Sequence, residues 1–239
     1  MAATAHAQTL DDAALEAATQ SECGKHSYAK RGIAPSGFVK GMAQTYARTW
    51  CVAKTKPDSI GAFLAGTDFP LSSDALAVYG RSNGSADDRL RALFALGLGE
   101  GMRESSGDRS ASRDTTAKVP PSAETAEAGL FQVSADSLGF SKRLPKLVEQ
   151  FQADSSSCAL DRFSQGMKKS SVPDYGTGRG ADFQHLSRSC PAFATPYALV
   201  MMRVKMQHFG PVRRKEAELA ESCERMFDAV EQAVAPSCH

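Results

Sequence analysis

The chain has 239 residues, of which 42% are hydrophobic and 23% charged, so it is long and apolar enough to bury a core. A formal net charge of +1 argues against a nucleic-acid-binding protein and against attraction to an anionic membrane surface. No apolar run approaches the length of a membrane span, so we expect no transmembrane helix.

Six cysteines are spread over the chain without a Cys-x-x-Cys motif or a close Cys/His pair, so we expect no metal site. Their even number favours three disulfides in an exported protein over six reduced cysteines in the cytosol. Sequence does not fix the pairing among about fifteen possibilities. Short-range pairs would be Cys23–Cys51, Cys158–Cys190 and Cys223–Cys238.

The first eight residues resemble the end of a secretory signal, because Ala5-His6-Ala7 before Gln8 has the small-x-small pattern of a cleavage site. We interpret residues 1–8 as a remnant of such a signal. Residues 9–239 are then expected to form one domain, located in the periplasm or secreted.

In the first ninety residues the apolar pattern predicts helices. Thr9, with two aspartates behind it, caps a helix to about Ala18, and Ser72 or Ser73 caps another toward Tyr79. Between them four apolar side chains recur every four residues and predict a buried helical stripe: Phe38, Met42, Tyr46 and Trp50. Ser85 is expected to cap the next helix, which runs to Glu104.

Residues 80–84 match the Gly-x-Ser-x-Gly pattern of serine hydrolases, with Ser82 as the candidate nucleophile. His185 and His208 follow in the order that such a triad needs. A serine esterase is therefore one alternative function. The neighbouring segments, however, are predicted to be helical, so the sheet that would present the serine lacks strands.

The second half of the chain is also mostly helical in pattern. Helices are predicted over Leu144–Phe151, over Cys158–Met167, from Thr195-Pro196 to a break at Gly210-Pro211, and over about Val212–Val234, with an irregular stretch at Ser170–Asp182. Alternating β patterns are scarce. We expect a mainly α fold with a small β element near Lys118–Glu127.

Two short motifs frame the segment from Leu90 to Val133. Glu104-Ser105-Ser106-Gly107 resembles the Glu-Ser-x-Gly signature of lysozyme-like lytic transglycosylases and goose-type lysozymes. Residues 128–133, Ala-Gly-Leu-Phe-Gln-Val, resemble the Gly-Leu-Met-Gln-Val/Ile motif that follows it in these families. The resemblance covers about Leu90–Phe140. It implies an α+β lysozyme-like fold with its core motifs in residues 85–140 and a small β element beside the catalytic helix.

The resemblance implies cleavage of a glycosidic bond, which needs a carboxylic acid that still carries its proton near neutral pH. Glu104 meets this need, because an apolar helix face and the negative helix end both raise a carboxyl pKa. Glu100, one turn earlier, is a rival acid or a like-charge neighbour. The plain alternative for Glu104 is a solvated glutamate at a helix end.

A hydrolase needs a second carboxylate, at about 5 to 9.5 Å depending on stereochemistry. Glu124 and Glu127 occupy the region where goose-type lysozymes carry an acidic residue, and Asp108 and Asp114 are further options. A lytic transglycosylase needs only Glu104, since a hydroxyl of the substrate attacks and leaves an anhydro sugar end.

The resemblance also suggests residues that contact the sugar. Gln132 offers an amide and Phe131 a flat apolar face, although Phe131 could equally be core. Ser106 belongs to the first motif, and Tyr175 is an approximate counterpart of a tyrosine in a family Ala-Tyr-Asn-x-Gly motif that lacks the asparagine here.

These residues predict a glycan-cleaving enzyme that acts on a β-1,4-linked amino-sugar polymer, foremost the peptidoglycan glycan strand. No cofactor, nucleic acid or protein partner is indicated. Besides the serine esterase, a non-catalytic wall-polymer-binding protein is an alternative, because the second carboxylate is not clearly marked.

Overall fold

The computed structural model describes residues 9–113, 115, 119, 122–158, 160–165 and 172–238. These residues are mainly helical, with eleven α-helices and one two-stranded sheet, so the mainly α fold class with a small β element is confirmed. None of the helices in these ranges is both long and apolar enough to span a membrane.

The helices and strands have the following bounds. The α-helices are α1 (Leu10–Gln20), α2 (Ser36–Thr55), α3 (Ile60–Leu64), α4 (Ala75–Val78), α5 (Ala86–Ser105), α6 (Arg143–Ala153), α7 (Leu160–Phe163), α8 (Arg179–Ser189), α9 (Pro191–Val204), α10 (Gly210–Arg213) and α11 (Glu221–Val234). Strands β1 (Ser27–Tyr28) and β2 (Gly32–Ile33) pair antiparallel. Short 3-10 segments cover Glu22–Lys25, Ala123–Thr125, Ala135–Phe140, Ser155–Cys158, Met206–His208 and Ala235–Ser237.

The core lies where α2, α5, α9 and α11 meet. The predicted stripe of α2 is buried, with Phe38, Met42 and Tyr46 fully excluded from solvent. The Tyr46 ring lies 5.0 Å from the Phe94 ring of α5 and 4.6 Å from the Phe227 ring of α11, measured between centroids. α5 is therefore enclosed on several sides, and it stays buried as far as Met102, which is 1% exposed.

Local capping signals are confirmed at two helix starts. The Thr9 hydroxyl accepts the Asp12 N–H at 3.1 Å. Ser85 and Asp88 form a reciprocal capping box at the start of α5, in which the Asp88 N–H donates to the Ser85 hydroxyl at 3.1 Å. Two donors at the helix start are thereby satisfied, which fixes the beginning of the helix that ends near Glu104.

Several predicted boundaries are wrong. Asp74, not Ser72 or Ser73, caps α4. Helix α9 begins at Pro191 and contains Pro196, and α8 was not predicted. Gly210-Pro211 opens the short helix α10. The last long helix therefore starts at Glu221 and not at about Val212. In place of the predicted Cys158–Met167 helix, the described residues form a 3-10 segment and α7.

The small β element lies elsewhere than predicted. Among the described residues of Lys118–Glu127, Ala123–Thr125 form a 3-10 turn, and the sheet is the hairpin at residues 27–33. An isolated bridge joins Ala128 and Val133. The hairpin reaches the end of α5, since the Arg31 guanidinium donates to the carbonyl of Arg103.

Three disulfides are present, as expected, and they are typical of an oxidising compartment outside the cytoplasm. The pairs are Cys23–Cys223, Cys51–Cys238 and Cys158–Cys190, so one short-range pairing is confirmed and two are wrong. The reason is tertiary, because α11 packs against α1 and α2 and brings distant cysteines together.

Candidate active site at the end of helix α5

The last turn of α5 is closed by two residues in the left-handed conformation. Ser106 has φ 56° and Gly107 has φ 75°. The Ser106 N–H donates to the Met102 carbonyl at 3.1 Å, the bond of an αL cap, and the Gly107 N–H donates to the Gly101 carbonyl at 3.1 Å. A Cβ on Gly107 would lie 2.7 Å from Cδ1 of Phe38, so only glycine fits here. Glu104 therefore lies at the very end of the helix.

The second motif packs against this helix end. The Ser105 hydroxyl donates to the Leu130 carbonyl at 2.8 Å, and the Gly129 N–H donates to the Ala111 carbonyl at 2.8 Å. A Cβ on Gly129, whose φ is 77°, would lie 2.6 Å from the Ser187 carbonyl oxygen. The two motifs are thus adjacent, and the residue after Glu104 contacts the turn that carries Gln132.

Gln132 and Phe131 differ in what they present to a ligand. Gln132 is half-buried and has φ 46°, which is unusual for a residue with a side chain. Its amide donates to the Gly129 carbonyl at 3.0 Å. The Phe131 side chain is 1% exposed and belongs to the core, so the structure does not present its ring as a sugar-binding face.

Two carboxyl groups share one face of the last turns of α5. Glu100 is fully buried and Glu104 half-buried. Burial, followed by the nearby Glu104 charge, raises the pKa of Glu100 well above its ordinary value. Burial also raises the pKa of Glu104, against the opposing effects of a hydrogen bond from Glu100 and of the Arg31 and Arg214 charges.

The arginines around this pair come from distant segments, and sequence patterns did not mark them. Arg31 lies in the turn of the β-hairpin and donates to the Ser106 hydroxyl at 3.4 Å. Arg214 follows α10 and forms two 2.9 Å hydrogen bonds to the Glu216 carboxylate. No motif connects either residue with Glu104, so only the folded chain reveals them.

The candidate second carboxylates lie in different surroundings. Glu124 is half-buried and pairs with Arg179 at 3.1 Å. Glu127 is exposed to solvent. Asp108 accepts the N–H and the hydroxyl of Ser110 at 2.8 and 2.7 Å, as a local turn. Asp114 lies outside the described residues.

The remaining predicted sugar contacts are Ser106 and Tyr175. Ser106 is exposed beside Arg31. Tyr175 is half-buried, with the Arg113 guanidinium 5.0 Å from its ring centroid, and its N–H donates to the Gln184 side chain at 2.8 Å. Its loop packs on the 122–125 turn, since a Cβ on Gly176 would lie 2.8 Å from Cβ of Ala123. Tyr175 is therefore placed near the segment that carries Glu124.

The serine-hydrolase context around Ser82 is not formed. The segment before it is helix α4, not the strand that a nucleophile elbow requires. His185 is exposed and lies 3.5 Å from Asp174, while His208 packs beside Phe140 and Phe209. The glycine pattern here is explained by a loop that leads into the Ser85 cap.

Within the described part of the chain, no group of three or more His, Cys, Asp or Glu side chains could hold a metal ion. No family model matches this chain, and neither does a curated protein or a solved structure. The chemistry of the site is therefore inferred from its geometry and from the two motifs.

Proposed function

We propose that this protein is an exported enzyme that cleaves a β-1,4-linked amino-sugar polymer, with the peptidoglycan glycan strand as its substrate and Glu104 as general acid. One observation carries the proposal. Glu104 is a half-buried carboxyl with a raised pKa at the end of a core helix, next to the turn that bears Gln132. A rigid position and a retained proton are what acid catalysis requires.

In the proposed reaction Glu104 gives its proton to the glycosidic oxygen as the bond to the sugar carbon breaks. Burial favours the protonated starting state, whereas Arg31 and Arg214 favour the carboxylate that remains afterwards. The positive charges thus act on the state in which Glu104 is ionised. Gln132 supplies an amide beside the helix end, suited to a polar substituent of a hexosamine.

The nature of the attacking group separates two outcomes. If Glu124 or Glu127 activates water, the products carry reducing ends. If a hydroxyl of the substrate attacks, the products carry anhydro ends and Glu104 suffices. Glu124 is already engaged in an ion pair with Arg179, the first residue of α8.

The test is digestion of purified sacculi, with the soluble products analysed by mass spectrometry. We expect wild type to release muropeptides and Glu104→Gln to be slower by at least about 100-fold, the typical contribution of a general acid. Glu149→Gln, an exposed position on α6, is the matched control and should retain full activity.

Three results would contradict the proposal. Sacculi left intact by the wild type would exclude cleavage of this polymer, and if the protein still binds them it is a wall-binding protein. Undiminished activity of Glu104→Gln would exclude Glu104 as the acid. Loss of an esterase activity in Ser82→Ala would support a serine esterase instead.

A further inference from the structure

Glu100 is a buried acid that the proposed reaction does not use. Its side chain is fully excluded from solvent, and neither carboxyl oxygen has a hydrogen-bond donor among the described residues. Buried polar atoms without partners are rare in folded proteins. A carboxylate would be unstable here, but a protonated carboxyl group needs an acceptor for its own O–H, so the question is which group accepts it.

The group placed to accept it is Glu104, one turn further along α5. Residues four apart lie on the same helix face, and the Glu100 and Glu104 carboxyl groups are within hydrogen-bonding reach. Two carboxylates this close repel each other, whereas one acid and one carboxylate form a strong, charge-assisted hydrogen bond. Once Glu104 has given up its proton, a single proton remains and is held between the two groups.

The surroundings of the pair indicate which carboxyl keeps the proton that remains. Arg103 on α5 and Arg214 after α10 face Glu100, and Tyr79 approaches it from the end of α4. Both arginines also donate hydrogen bonds to Glu216. Arg103 donates to its backbone carbonyl at 2.8 Å, and Arg214 donates to its carboxylate.

At Glu104 the facing cations are Arg31, from the hairpin, and Arg214. Each carboxyl group thus faces two arginines, and what distinguishes Glu104 is that it is the less buried of the two and has partial access to water. When the pair holds one proton, the negative charge therefore belongs on Glu104 and the proton on Glu100.

We propose that Glu100 is a positioning residue for Glu104: it stays neutral, donates its O–H to a Glu104 oxygen, and stabilises the carboxylate that forms when Glu104 releases its proton. This inference rests on the proposed function. In the step itself the bond from the sugar carbon to the glycosidic oxygen breaks, and the Glu104 proton goes to that oxygen. Glu100 keeps its own proton, because ionising it would leave a charge in a position that is excluded from solvent.

The hydrogen bond strengthens as Glu104 becomes negative, so it favours the transition state over the ground state. Loss of a hydrogen bond to a charged group corresponds to about 10- to 100-fold in rate. We expect Glu100→Leu to reduce the maximal rate by that factor. Glu100→Gln retains an amide donor and should lie within a few-fold of wild type.

A titration of the protein without substrate tests the pair independently of catalysis. The chain is labelled with ¹³C at the glutamate carboxyls, and the Glu104 signal is assigned by its loss in Glu104→Gln. In Glu100→Leu the pKa of Glu104 should rise, because its carboxylate loses a donor, and in Glu100→Gln the rise should be smaller. A fall in both variants would show that Glu100 was negatively charged, and would overturn the proposal.

An infrared measurement keeps the proposal testable if the leucine variant does not fold. In Glu104→Gln at neutral pH the carbonyl stretch of a protonated carboxylic acid should remain, and it should disappear when the nearly isosteric Glu100→Gln is added. Absence of the band in Glu104→Gln overturns the inference about Glu100. Intact sacculi overturn the proposed function alone, so the two failures are distinguishable.

Discussion

At position 100 a carboxyl group is held where water does not reach it, and this has a consequence for stability. Since burial raises the pKa of Glu100, the folded chain holds this proton more tightly than the unfolded chain, whose glutamates titrate near about 4.3. The favourable contribution is complete below that pH and is lost as pH rises toward the folded-state pKa.

We therefore predict that Glu100→Gln is more stable than wild type at neutral pH. The difference in unfolding free energy should grow above pH about 4.3, by at most about 1.4 kcal/mol per pH unit for one group, and then level off. Urea unfolding at several pH values measures it. The exposed Glu149→Gln should follow wild type at every pH, and a difference that is independent of pH would argue against a buried neutral acid.

Gln132 adopts a backbone conformation that favours glycine, with φ 46°. Left-handed backbone costs a residue with a side chain about 1–2 kcal/mol, and Gln132→Gly relieves this while losing the 3.0 Å amide bond to Gly129. We predict stability within about 1 kcal/mol of wild type, together with reduced glycan cleavage. Lys30→Gly, at φ 61° and exposed, is the control and should retain activity.

The sequence singled out Glu104 and Gln132 because each lies in a short contiguous motif. The sequence patterns did not identify Arg31 and Arg214, because these residues come near the end of α5 only in the folded chain. The sequence left open whether Phe131 contacts a ligand or belongs to the core, and its burial shows that it belongs to the core. Local patterns thus locate an acid, whereas the charges that tune it are tertiary.

Among the elements, the end of α5 depends on Gly107. Alanine at φ 75° costs about 1–2 kcal/mol in backbone strain, and its Cβ would also press on Phe38 and Pro35, at 2.7 and 2.9 Å. We predict that Gly107→Ala lowers the unfolding free energy by at least about 2 kcal/mol and weakens glycan cleavage, because Glu104 precedes this turn.

Thermal or urea unfolding, paired with the sacculus assay, provides the measurement. Gly139→Ala is the matched control, since no atom lies within 4 Å of an added Cβ there. Equal stability of the two variants would mean that the helix end adapts without displacing Phe38.

Helix starts with side-chain caps were predictable, as Thr9 and Ser85 show. The prediction that Thr195-Pro196 starts a helix is wrong, although these two residues are typical of a helix start. They lie inside α9, where the Thr195 hydroxyl donates to the Pro191 carbonyl at 3.0 Å. The two-residue strands of the hairpin are too short to produce an alternating pattern.

For the whole molecule, the disulfides differ in the length of chain they enclose. Cys23–Cys223 spans 200 residues and Cys158–Cys190 spans 32. In the chain-entropy model the longer loop contributes about 1.6 kcal/mol more, since each doubling of length adds about 0.6 kcal/mol. We predict that replacing Cys23 and Cys223 by alanine destabilises the fold more than replacing Cys158 and Cys190 does. Urea unfolding under non-reducing conditions compares them, and the reverse order would refute the prediction.

The pairing itself was beyond sequence reasoning, because it depends on how α11 packs across α1 and α2. Composition and cysteine number predicted three disulfides and an oxidising compartment. Composition and cysteine number could not predict which cysteines the packed helices bring within bonding distance.

These cross-links also govern what a protease can release. A cut at any peptide bond between Cys51 and Cys158 produces two pieces that remain tethered through Cys23–Cys223 and Cys51–Cys238. Glu104 and Gln132 could then belong to separate polypeptides and still be part of one particle. Nicked molecules would therefore run as one band on a denaturing gel without reductant and as two bands after reduction.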